Sequence, residues 1–98
     1  MSIDLGKILI KKKQFAKALF VFEKFLKNKP NDLRANFQMG KIYYELNDLN
    51  KNLLFFEKCN KIQPNTPNIL FNLALILQST GKIKEAKENY LKLISINS

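Results

Sequence analysis

The side chains that could do covalent or acid–base chemistry are few. The chain has 98 residues, no histidine and a single cysteine, Cys59. Without an imidazole, the Ser–His and Cys–His dyads and the usual zinc sites cannot be assembled. A lone cysteine also excludes an internal disulfide and a multi-cysteine metal site. The carboxylates Asp4, Glu45 and Asp48 are too far apart in the sequence, or too close to helix starts, to read as a general acid–base pair. The sequence therefore predicts no enzyme, no metal and no cofactor, and the chemistry left to it is recognition.

Charge is the next candidate. Lys and Arg number 17 against 8 Asp and Glu, a formal charge of +9, which raises nucleic acid or an anionic surface as a partner. The excess is uneven: residues 1–34 carry nine basic and three acidic side chains, and the rest of the chain is nearly balanced. All the basic residues but Arg34 are lysines, whereas bidentate phosphate and base recognition relies on arginine. The run Lys11–Lys13 reads as a solvated basic surface rather than a nucleic-acid site. Lys7 and Lys11–Lys13 also interrupt any signal-peptide core, and no apolar run reaches the length of a membrane span. A cytoplasmic, soluble protein is expected.

The elements that position these side chains are helices. Apolar residues recur at three- and four-residue spacing between punctuation marks, which predicts six amphipathic helices in three hairpins. They run over about residues 3–12, 14–27, 33–46, 49–62, 67–79 and 83–96. Ser2, either Asn31 or Asp32, Asp48 and Thr66 stand where N-caps are needed, Pro67 occupies a first-turn position, and Gly81 stands where a left-handed residue ends a helix. An all-α chain of this size has one core.

A repeat underlies the pattern. Shifting by 34 residues superimposes Gly6, Gly40 and Ala74; Leu5, Met39 and Leu73; Phe22, Phe56 and Tyr90; and Phe25, Cys59 and Leu93. Pro30 and Pro64 close the first two copies. A 34-residue helix–turn–helix unit with a small residue, an aromatic and a closing proline at these offsets resembles the tetratricopeptide repeat (TPR) family. The resemblance covers the whole chain as one TPR-like domain, with repeats at residues 1–30 (shortened at its start), 31–64 and 65–98. It implies three antiparallel helix hairpins stacked into an α-α superhelix. Three positions depart from the family pattern: Asn52 replaces a small residue opposite Gly40, and Ser2 and Asn36 stand where a large apolar residue is favoured.

In this family the first helices of the hairpins line a concave groove that binds protein segments. By register the resemblance assigns the groove to Lys7 and Lys11, to Arg34, Phe37, Lys41 and Tyr44, and to Phe71 and Leu75. Aromatic anchors beside cations suit a peptide or partner segment with apolar and acidic groups. The alternative for Phe37 and Phe71 is packing against each other between repeats. The positions that clamp chaperone C-termini in a subset of the family hold Ile3, Lys7, Gln38, Asn68 and Asn72 here, so that clamp is missing.

Helical geometry alone points to a second surface. At roughly 100° per residue, Phe20 points away from the stripe of Ala18, Phe22 and Phe25, and Leu54 repeats it. Leu91 and Ile94 make the outer face of the last helix apolar where a terminal repeat usually turns polar. These four residues predict self-association through a convex patch and an uncapped last helix, or a place for further repeats of a longer array.

Overall fold

The computed structural model describes residues 3–97. Six helices follow one another: α1 (Ile3–Lys11), α2 (Phe15–Asn28), α3 (Leu33–Glu45), α4 (Leu49–Ile62), α5 (Pro67–Ser79) and α6 (Ile83–Asn97). Each expected helix is present, with ends displaced by at most one residue. The cap expected at Ser2 lies outside the described residues. Asp32 accepts a hydrogen bond from the Ala35 N–H at 2.9 Å and Asp48 from the Lys51 N–H at 3.2 Å, each satisfying one donor that the first helical turn leaves orphaned. Thr66 behaves otherwise. Its hydroxyl donates to the Gln63 carbonyl at 3.1 Å and accepts from Gln63 Nε2 at 2.9 Å, so it ties the turn to the preceding helix. Its side chain makes no cap hydrogen bond to α5.

The hairpin turns are one device used three times. Lys13, Asn47 and Gly81, spaced by the repeat length, all have positive φ, at 58°, 60° and 83°. After each, an N–H reaches back to the helix it leaves: Gln14 to Leu9 at 2.9 Å, Asp48 to Tyr43 at 2.9 Å and Lys82 to Leu77 at 2.8 Å. The left-handed residues donate to Ile10, Tyr44 and Gln78. This is the Schellman arrangement, which needs a left-handed residue at its corner. Glycine takes that conformation freely and asparagine tolerates it, whereas lysine is strained by its Cβ. Lys13→Gly should therefore raise stability by roughly 1 kcal/mol and the thermal midpoint by about 5 °C, checked by calorimetry.

Within each of the first two hairpins a glycine admits an aromatic ring. Gly6 lies against Phe22 and Gly40 against Phe56, both rings buried. Two clusters then form between consecutive repeats. One joins Ala18 and Phe22 to Ala35, Met39 and Ile42. The other joins Leu53, Phe56 and Cys59 to Ile69, Leu73, Ile76 and Leu77. The third aromatic, Tyr90, is only partly buried, and its hydroxyl hydrogen-bonds Gln78 Oε1 at 3.1 Å.

Of the three polar departures, Ser2 lies outside the described residues, and Asn36 and Asn52 are both buried. Asn36 donates from Nδ2 to the Pro30 carbonyl at 3.1 Å and the Asp32 carbonyl at 2.8 Å, fastening α3 to the turn before it. Asn52 donates from Nδ2 to the Gly40 carbonyl at 2.7 Å, fastening α4 to α3. Each thus replaces apolar packing with a side-chain bond to backbone.

Candidate binding groove

α1, α3 and α5 are the first helices of the three hairpins. α1 touches α3, but α3 and α5 make no direct backbone contact, and α4 packs on both. That spacing opens a cleft of about 470 Å³ between α3 and α5. Lys41, Tyr44 and Glu45 line it from α3; Leu75, Ile76, Asn72 and Ser79 from α5; and Leu49, Asn52 and Phe56 from α4. A smaller depression of about 220 Å³ lies between the starts of α3 and α5, lined by Lys7, Arg34, Phe37, Gln38 and Asn68 among others.

The expected groove residues divide between these two hollows. Lys41, Tyr44 and Leu75 line the larger, and Lys7, Arg34 and Phe37 the smaller. Lys11 and Phe71 line neither. Phe37 is half-buried, its ring meeting Phe56 edge-on at 5.0 Å between centroids, with Lys41 Nζ 6.0 Å from its own centroid. The ring contact of Phe37 is thus with its own hairpin, and Phe71 stands 46% exposed. Tyr44, at 61%, and Leu75, at 42%, are the large apolar side chains open at the cleft.

Sequence reasoning missed the floor. Asn52 and Phe56 read as packing positions, since both belong to a second helix; they are packed, at 1% and 2% exposed, and at the same time border the cleft between α3 and α5. The signal available was Asn52 itself, a polar residue where the neighbouring repeats carry Ala18 and Ala86. Its Oδ1 is buried and has no protein partner.

Cys59 is fully buried, with Sγ 4.0 Å from the Leu33 carbonyl. Burial pushes its thiol from 9.0 up to about 11, because removal from water penalises the thiolate. The thiolate is the reactive form, so the folded protein should resist iodoacetamide at pH 8 and react only as it unfolds, which mass spectrometry reads directly. The folded thiol has the raised value, so its contribution to stability is complete below pH 9 and is lost as pH climbs toward 11.

The residues expected at the convex patch, Phe20 and Leu54, and on the last helix, Leu91 and Ile94, are all exposed. Phe20 and Leu54 are 57% and 60% exposed, and Lys24 Nζ lies 5.2 Å over the Phe20 ring. Leu54 borders a hollow formed with Leu73, Leu77 and Asn89. Leu91 borders another, at the end of the array, with Ile83, Ala86 and Tyr90. Ile94 is 65% exposed. Among the described residues no helix is long and apolar enough to cross a membrane.

Comparison with known proteins places this geometry. No curated protein matches the sequence. Among solved structures, a double mutant of MamA RS-1 superimposes with a TM-score of 0.86 at 26% identity over 94% of this chain. MamA from Desulfovibrio magneticus RS-1 gives 0.84, also at 26% identity over 94%. MamA AMB-1 gives 0.84 at 17% identity over 95%, a likeness of fold alone. The match takes in 52% of each of the two RS-1 chains and 51% of the AMB-1 chain, so the present chain spans about half the length of these proteins. The family model described as anaphase-promoting complex, cyclosome, subunit 3, matches residues 11–93. With six helices in three hairpins among the described residues, a 34-residue register and most of its length matched, the chain belongs to that family, one of the tetratricopeptide type.

Proposed function

We propose that the chain is a non-catalytic protein–protein interaction scaffold of the cytoplasm, taking a peptide or partner segment in its concave groove. The observation that carries this reading is the cleft between α3 and α5, with Tyr44 and Leu75 open at its walls and Lys41 at its rim. The neighbouring hollow adds Lys7 and Arg34, which favours a partner that follows its apolar anchors with acidic groups. Interaction energy in such sites concentrates in a few large side chains. An array of peptides carrying one or two apolar anchors and flanking acidic residues tests the proposal. Tyr44→Ala and Leu75→Glu should each weaken binding by roughly tenfold, with thermal stability kept because both side chains are open. Peptides that bind the variants as well as the parent would sink it.

A second reading is assembly. Phe20, Leu54, Leu91 and Ile94 are each more than half exposed, and large apolar residues left open mark contact surfaces. The occupant is a second copy or a further repeat, the latter supported by the greater length of the solved relatives. Light scattering over a wide concentration range separates the two. An oligomer broken by Leu54→Glu or Ile94→Glu supports the second copy, and a monomer throughout removes it.

A further inference from the structure

We propose that the hollow against α6, at the end of the array, is half of a cleft that α1 of a second copy completes, so that chains join head to tail. The proposal deepens the assembly reading and rests on it for the existence of a self-contact. The hollow measures about 320 Å³ and is lined by Gln78, Ile83, Ala86, Lys87, Tyr90 and Leu91. Shifted back by one repeat, Gln78, Ile83, Ala86 and Tyr90 fall on Tyr44, Leu49, Asn52 and Phe56, all four of which line the cleft between α3 and α5. The hollow is thus the same cleft with one wall missing. In the cleft that wall is α5, the first helix of the following repeat, which brings Asn72, Leu75, Ile76 and Ser79.

The same chain carries a helix of that kind with its docking face exposed. Inside the array each first helix joins the cluster it shares with the preceding second helix through a pair three residues apart, Met39 and Ile42 in one case, Leu73 and Ile76 in the other. None of these four is more than 6% exposed. The register places Leu5 and Ile8 of α1 at the same positions, where they are 43% and 51% exposed. Among the described residues α1 and α6 make no contact and stand at opposite ends of the stack. A two-fold contact of α6 with α6 would leave Leu5 and Ile8 in water, whereas one head-to-tail contact covers both faces. Ile8 then takes the place that Ile76 holds in the cleft, and Lys7 and Lys11 take those of Leu75 and Ser79, so the joint makes a second groove with a basic wall. Lys87 stands at the register of Leu53. Its stem can lie along the joint while its ammonium reaches the edge, which leaves this contact weaker than the two within the chain. Because every added copy presents a new open face, assembly has no fixed end.

The test is sedimentation equilibrium of the 98-residue chain from about 10 μM to about 1 mM, a range suited to a weak joint. The average mass should keep rising with concentration and pass two copies without levelling off. Ile8→Lys and Leu91→Lys, both at exposed positions, should each weaken association at least roughly tenfold and keep the helical circular dichroism of the parent. Mixed in equal amounts at a concentration where neither associates alone, they should pair as one of each and form nothing larger, since the mixture offers one intact α6 face and one intact α1 face. No pairing in the mixture would overturn the proposal. A plateau at two copies that Leu91→Lys abolishes and Ile8→Lys leaves intact would also overturn it, in favour of a two-fold contact of α6 that spares the assembly reading. A parent protein that stays monomeric throughout would overturn both.

Discussion

Phe56→Ala should lower the unfolding free energy by roughly 3–5 kcal/mol, the range for deleting a buried aromatic ring. The ring is 2% exposed and touches three parts of the fold: Gly40 on its own hairpin partner, Phe37 edge-on at 5.0 Å, and the cluster shared with Ile69, Leu73 and Ile76 of α5. Its loss removes both the packing within a hairpin and the packing between hairpins. A domain of this size has only about 5–15 kcal/mol in hand, so the thermal midpoint should fall by roughly 15 °C or more. Phe37→Ala, at a half-buried position, should cost less than half as much. Chemical denaturation of the two variants side by side gives the comparison, and equal losses would mean that Phe56 is not the centre of the second interface.

Gly40→Leu is expected to destabilise by about 2 kcal/mol despite replacing glycine within a helix. Helix propensity alone would favour leucine by roughly 0.8 kcal/mol. A Cβ at Gly40, however, would lie 2.7 Å from Phe56 Cε2 and 2.8 Å from Cδ2, distances that force the ring to move. The ring is held by Phe37 and the α5 cluster and has nowhere to go, so overpacking, typically about 1–3 kcal/mol and sometimes more, outweighs the propensity gain. The two substitutions should therefore couple. In the double variant Gly40→Leu, Phe56→Ala the new side chain enters space the ring has left, and the combined loss should fall short of the sum by at least roughly 1 kcal/mol. Additive losses would show that the clash is relieved by helix movement rather than by the ring. Gly6 and Phe22 repeat this arrangement in the first hairpin, where Gly6→Leu should behave the same way.

The fold was legible because it is written three times. A helical period is local information, carried by residues three and four apart, and the 34-residue register supplies independent copies of each turn, small residue and aromatic. The turn corners show where that legibility ended. Gly81 announces its conformation, but Lys13 and Asn47 share it only because the hydrogen bonds of the turn require it, and lysine gives no sign. Thr66 has the residue type of a cap and the position of one, yet its hydroxyl found the Gln63 carbonyl nearer. Local chemistry offers more than one partner to such a side chain, and the chain's path decides among them.

The site was legible in part. Register alone indicated the helices that line a groove, and six of the eight residues so assigned border its two hollows, with Tyr44 and Leu75 at the larger one. Phe37 was expected as an anchor or as a partner of Phe71; its ring meets Phe56 while it also lines the smaller hollow. Whether an aromatic on a groove helix turns outward or inward depends on the space beneath it, which is a property of the neighbouring helix.

By itself the sequence determined the helices, their order, the repeat register and the lack of catalytic dyads, since all of these follow from residue type and spacing along one chain. Only the tertiary structure decided that α3 and α5 stand apart, that α4 supplies the floor between them, and that Asn52 lies there with an acceptor unmatched. Separation between elements is set by the sum of side-chain volumes packed across an interface. No periodicity within a single helix encodes that sum.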